Sequence, residues 1–243
     1  MSLLQTHNLT IGYGDQPLVS DINVSLEVGQ LIGLIGQNGV GKSTLIRTLA
    51  GFQRPLSGSI SIGGIELTKL KAKAVSKKLG VVLTEKPTAL NLSVLELISL
   101  GRHPYSGWLG QLKKEDVAKI EAAIVQTQIH HILNKRLFEL SDGQLQKVMI
   151  ARVLAQDTDV ILLDEPTSHL DLRNKIEVLD LLKKISQSGK AVLISTHEIS
   201  LSAKVCDLFW GVDFGVPLEI GEPDKMMFSG KVKELLHLEE GVI

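Results

Sequence analysis

The chain has 243 residues, 44% of them hydrophobic, enough for one large α/β domain or two modest ones. Only 4% are aromatic, so Leu, Ile and Val must fill the core, and a net charge of −1 gives no electrostatic reason to expect nucleic acid as a partner. One cysteine, Cys206, excludes an internal disulfide; the start lacks the pattern of a signal peptide, and no apolar run approaches the roughly 18 residues of a spanning helix. A soluble protein is expected, with any membrane role exercised through a partner.

Residues 3–35 read as short strands broken by Gly12, Gly14-Asp15 and Gly29. The apolar run Leu31–Ile35 has the character of a buried strand and feeds Gly36-Gln37-Asn38-Gly39-Val40-Gly41-Lys42-Ser43-Thr44. That segment fits G-x-x-x-x-G-K-[ST], a phosphate-binding loop. Its glycines let successive N–H groups turn toward phosphate oxygens, and the following helix offers its positive end to the same anion. Lys42 supplies a full charge for the β- and γ-phosphates, and Ser43 a hard oxygen for Mg²⁺.

A helix is predicted over Thr44–Ala50, stopped by Gly51 and Pro55, then a strand over Ser59–Ile65. Lysine-rich residues 69–80 carry Leu70, Ala74 and Leu79 on a helical repeat, and Val81–Leu83 is a strand candidate. From 91 to 156 the pattern is almost wholly helical, interrupted at Gly101–Gly110. Within it, Ser141 and Gln144 have capping-box spacing and open the helix bearing Leu145, Val148 and Met149. With Gly143 in its first turn, that helix end leaves N–H groups and a hydroxyl available to an anion.

Val160–Leu163 reads as a buried strand delivering Asp164 and Glu165 to the sheet edge, where ligands bind in open α/β folds. Asp164 there can hold Mg²⁺, and Glu165 can polarise an attacking water. A helix is expected around 173–187, with Asp171 a plausible cap, followed by a strand over Ala191–Ser195 and then His197. Ser195 and Glu198 also match a capping box, which would make them a helix start. Strands and helices in this order make an α/β core with a helical insertion.

Leu140-Ser141-Asp142-Gly143-Gln144, placed between the phosphate loop and the Asp164-Glu165 strand, resembles the signature of the ATP-binding-cassette (ABC) transporter ATPases. The resemblance runs from Leu3 to about Gly230 and implies a P-loop NTPase (RecA-like) core with an N-terminal antiparallel β subdomain and an inserted α-helical subdomain. In that scheme 1–84 and 157–243 form the nucleotide-binding core and 85–156 the helical subdomain of a single ABC ATPase domain. It further implies ATP as substrate, Mg²⁺ as cofactor on Ser43 and Asp164, and catalysis by Glu165, His197 and Lys42. Tyr13 would stack on adenine, Ser168 and Asp171 would form a D-loop, and Ser141 and Gly143 would grip the γ-phosphate held by a second subunit.

The implied assembly is a homodimer on two transmembrane permease subunits, indirectly served by a substrate-binding protein, peripheral on the cytoplasmic face of the membrane. Two positions depart from the family. Asp142 replaces the usual Gly and is expected to point away from the nucleotide; either Thr84 or Glu85 stands for the usual Q-loop glutamine. Leu100-Gly101-Arg102-His103-Pro104-Tyr105 with Gly107-Trp108-Leu109-Gly110 resembles importers of chelated iron, haem or cobalamin. The alternatives are an exporter ATPase and a soluble ABC protein without a transport role.

Overall fold

The computed structural model describes residues 1–85, 87, 91–107 and 111–237, so Trp108, Leu109 and Gly110 lie outside the described residues. Two sheets organise the chain. The first is antiparallel: β1 (Ser2–Tyr13) pairs with β2 (Gln16–Ile22), β3 (Ser25–Glu27) and β5 (Ser57–Ile62), and β5 pairs with β6 (Ile65–Glu66). The expected strand Ser59–Ile65 is therefore a hairpin, turned at Gly63-Gly64.

The second sheet has the order β11-β10-β4-β9-β8-β7, with β4 (Leu31–Ile35), β7 (Leu79–Val82), β8 (Val160–Leu163), β9 (Ala191–Ser195) and β10 (Leu208–Gly211) parallel. Only the edge strand β11 (Glu219–Gly221) runs against its neighbour. The parallel strands read as unbroken apolar runs because both faces are covered. Along β8, Val160 and Leu162 face one core with α1 (Lys42–Leu49) and the antiparallel sheet; Ile161 and Leu163 face another with α5 (Asp142–Gln156) and α6 (Leu172–Gln187). This is the two-residue alternation of a strand. Cys206 belongs to the second core, and burial pushes its thiol up to about 12.

The helical stretch comprises α3 (Val94–Ser99), α4 (Lys114–Thr127) and α5, which packs on both. Gly101 lets the chain after α3 touch α5: a Cβ there would lie 2.2 Å from the Arg152 carbonyl. Arg102 fixes this junction. Its guanidinium donates to buried Asp116 at 2.9 Å and to the Ala155 carbonyl at 2.8 Å.

One expected helix is corrected. Of 69–80, only Ala72–Val75 (α2) is α-helical, after a single 3₁₀ turn at Leu67–Lys69. Leu79 and Gly80 instead pair with Val160 and Ile161 of β8, so strand pairing overrides the local helical repeat. The remaining helices are α7 (Ile199–Ser202), α8 (Pro223–Phe228) and α9 (Lys231–Leu236).

Candidate active site

The tips of β4, β8 and β9 bring the predicted residues together, as the shared direction of parallel strands requires. The phosphate loop leaves β4 at Gly36, where a Cβ would stand 2.3 Å from the Val212 carbonyl. It enters α1 through Gly41, whose φ of +113° is closed to other residues and which supplies no side-chain cap. The first N–H groups of α1 are therefore not consumed by a capping side chain. Lys42 is 5% exposed and folds over the loop, donating at 2.8 Å to both Gly36 and Gln37 carbonyls. Burial lowers its pKa, opposed by the nearby Glu165 and Asp164 charges. The Gln37 side chain donates to the Leu236 carbonyl at the end of α9, so that helix is tied to the loop.

A continuous set of hydrogen bonds joins the three strand tips. Ser43 Oγ donates to Asp164 Oδ1 at 3.0 Å, and Ser195 Oγ donates to the same oxygen at 2.7 Å. Ser195 Oγ in turn accepts the Glu165 N–H at 2.8 Å. Glu165 Oε1 meets His197 Nε2 at 2.8 Å. Ser43 and Asp164 thus present hard oxygens, the donor type that suits a small divalent cation such as Mg²⁺. A carboxylate beside an imidazole can hold a water and take its proton.

The capping-box reading of Ser195 and Glu198 is corrected by this geometry. Ser195 is the last residue of β9, and the Glu198 N–H bonds to Thr196 Oγ1. Pairing of β9 with both β4 and β8 fixes Ser195 as strand before any helix can begin. No motif pointed to a place for Ser195 in the site, since its capping pattern suggested only a helix start; its position at a strand tip beside the Asp-Glu strand was the available signal.

Of the Q-loop candidates, Thr84 Oγ1 donates to the Asp164 carbonyl at 3.1 Å, whereas Glu85 turns to Arg47 at 2.6 Å. Tyr13 ends β1 with its hydroxyl 3.0 Å from Thr44 Oγ1 and is 59% exposed, so the ring remains open to a planar partner. Asn38, Gly39 and Val40 complete the turn between β4 and α1, with Val40 fully buried.

Residues 140–144 form a second, separate helix start. Leu140 packs on the helical core, and Ser141 caps α5 by accepting the Gln144 N–H while Gln144 Oε1 accepts the Ser141 N–H. Asp142 is exposed in the first turn. Gly143 is buried, and a Cβ there would lie 2.6 Å from Asn174 Oδ1. Asn174 belongs to the cap of α6, where Asp171 Oδ1 accepts its N–H at 2.8 Å. Just before it, both the N–H and the hydroxyl of Ser168 bond to the Glu165 carbonyl. A cavity of about 50 Å³ lined by Thr84, Glu85, Asp142, Gln146, Ser168 and His169 brings these loops to one place.

Residues 19–168 match the family model described as ABC transporter. The achromobactin transport ATP-binding protein of Dickeya dadantii is 35% identical over 98% of this chain and 89% of its own length. A Bacillus subtilis protein named as a probable siderophore transport system ATP-binding protein is 38% identical over 84% of this chain and 74% of its own. Among solved structures, a transporter described as of the metal-chelate type, in an inward-facing conformation, superposes with a TM-score of 0.85. It is 28% identical and covers 98% of this chain and 90% of that one. The likeness therefore extends over nearly the whole of both chains.

Proposed function

We propose, from the premise that this chain belongs to the ABC transporter family of ATPases, that it is the energy-supplying subunit of an importer for chelated iron. The observation that carries the catalytic part is the bonded set Ser43–Asp164–Ser195–Glu165–His197, which gathers an oxygen pair for a cation and a base beside a histidine. When bound, Mg²⁺ would sit on Ser43 and Asp164 and neutralise charge between the β- and γ-phosphates.

Lys42 exchanges its two loop carbonyls for phosphate oxygens as ATP enters, and Tyr13 stacks on the adenine. Glu165 orients the water and takes its proton as the water oxygen bonds the γ-phosphorus and the bond from that phosphorus to the β–γ bridging oxygen breaks, with ADP leaving. His197 holds the Glu165 carboxylate and reaches toward the γ-phosphate. Ser141 supports a role in trans: as a cap its oxygen accepts the Gln144 N–H, which leaves the hydroxyl proton free to be donated. Two copies therefore close head to tail, with Ser168 and Asp171 at the seam.

Closure moves the helical stretch 85–156 relative to the core and with it two membrane subunits. A groove of about 1050 Å³ between them, lined among others by Phe52, Leu70, Leu100, Pro104 and Arg152, is the docking place we infer. It includes part of the Leu100–Tyr105 tract, and the names of the relatives support an iron chelate as cargo. No helix among the described residues is long and apolar enough to cross a membrane. The names of the relatives support a peripheral place on the cytoplasmic face through membrane partners. Thr84 is our choice for the Q-loop role, because Glu85 is engaged with Arg47.

Removing a general base costs on the order of 10²- to 10⁴-fold in rate. Glu165→Gln should therefore bind ATP, turn it over that much more slowly, and elute as a dimer with ATP present. Turnover at near the wild-type rate would show that the base has been misassigned.

A further inference from the structure

We propose that Ser195 is a positioning residue for hydrolysis, its buried hydroxyl setting the Asp164 carboxylate and the Glu165 backbone relative to each other. This rests on the reading of Asp164 and Glu165 as the cation-holding and water-activating carboxylates. Ser195 closes β9, is fully buried, and stands opposite Leu34 of β4 in the sheet. A hydroxyl carries one proton and two lone pairs, so it can donate to Asp164 Oδ1 at 2.7 Å while accepting from Glu165 N–H at 2.8 Å.

Both bonds act where the site needs direction. Glu165 has φ +50°, a left-handed conformation that glutamate rarely adopts, and the bond to Ser195 holds its N–H in that turn. Asp164 Oδ1 takes a second donor, Ser43 Oγ at 3.0 Å, so two hydroxyls, one from the first turn of α1 and one from the end of β9, fix the rotation of one carboxylate. One side chain on β9 thereby aligns two consecutive residues at the end of β8, each with a different task. Alanine would occupy the same space without the oxygen, so lost packing and lost alignment can be told apart.

The test compares wild type, Ser195→Ala, Ser195→Thr and Glu165→Gln in the purified full-length chain. For Ser195→Ala, kcat should fall by about tenfold with KM for ATP within about twofold, the size expected for one aligned hydrogen bond. Mn²⁺ binding followed by electron paramagnetic resonance, in ATP-loaded Glu165→Gln protein, should need several-fold more Mn²⁺ once Ser195→Ala is added. ATP binding in EDTA and the melting temperature should stay close to wild type. Ser195→Thr, which keeps the hydroxyl, should recover most of kcat.

A wild-type kcat and Mn²⁺ response in Ser195→Ala overturns the proposal. So does a Ser195→Ala protein that melts early and loses ATP binding in EDTA, since the residue would then be structural. A Ser195→Thr protein as impaired as Ser195→Ala overturns it too. Failure of the underlying reading looks different: Glu165→Gln would then keep full activity, whatever Ser195→Ala does.

Discussion

The starts of α1 and α5 both contain a glycine in the turn, and they are finished in opposite ways. At α1 the cap position is Gly41, with no side-chain bond to the helix, and Lys42 is folded onto carbonyls of its own loop. At α5 a full capping box between Ser141 and Gln144 satisfies the first turn from within. The loop at α1 keeps its backbone donors in reserve, the arrangement that suits a helix start to an anion. The α5 end is already a stable helix start, and its Ser141 offers an outside ligand a hydroxyl proton. A primary cradle and an accessory contact follow from that difference in capping.

The largest expected effect comes from breaking the arm that carries the α5 end. Asp116 is buried, bonds to Arg102, and accepts the Lys113 N–H at the start of α4. Asp116→Ala leaves a buried guanidinium without its counter-charge, though still bonded to the Ala155 carbonyl, and should cost about 3 kcal/mol in urea unfolding. The Lys113 backbone N–H first, and Arg102 after it, hold the Asp116 carboxyl below its usual range. Its contribution is thus complete above the ordinary aspartate pKa and fades only as pH falls through the lowered value; stability of wild type over that acid range should therefore drop more than that of Asp116→Ala.

Next comes Lys42→Ala, which should reduce ATPase activity by about 10²- to 10³-fold, as loss of a charged transition-state donor does. Ser141→Gly is milder and more informative. Glycine replaces a serine cap at a cost of only a few tenths of a kcal/mol, so stability should hold while turnover falls about tenfold. Mixing Lys42→Ala with Ser141→Gly protein then decides between cis and trans. A head-to-tail pair contains one site with both parts intact, so the mixture should exceed the mean of its components; strict additivity would rule out a shared site. Smallest is Asp142→Gly: on an exposed first-turn position it should change ATPase activity by less than about twofold.

What the sequence disclosed depended on whether the interaction was local. The phosphate loop, the Ser141 cap, the Asp171 cap and the strands Val160–Leu163 and Ala191–Ser195 are set by residues within a few positions of one another, and all appear where expected. The misses involve distant pairing. Leu79 and Gly80 were drawn from a helical repeat into the sheet by a strand 81 residues on. Ser195 had a local capping pattern with Glu198, but its partners Asp164 and Glu165 are 31 and 30 residues earlier. The bond from Gln37 to the Leu236 carbonyl spans 199 residues and has no sequence signature at all. Buried Arg102 belonged to a recognised tract, yet its pairing with Asp116 became visible only once α4 was placed.

The left-handed turn at Glu165 sets two selective pressures against each other. Asparagine tolerates that backbone far better than glutamate, so Glu165→Asn should relax the chain there while removing the proposed base. A laboratory search for heat-tolerant variants, run without a demand for turnover, would therefore enrich inactive proteins at this position. On the proposed role, glutamate would persist only while ATP hydrolysis is part of what is selected.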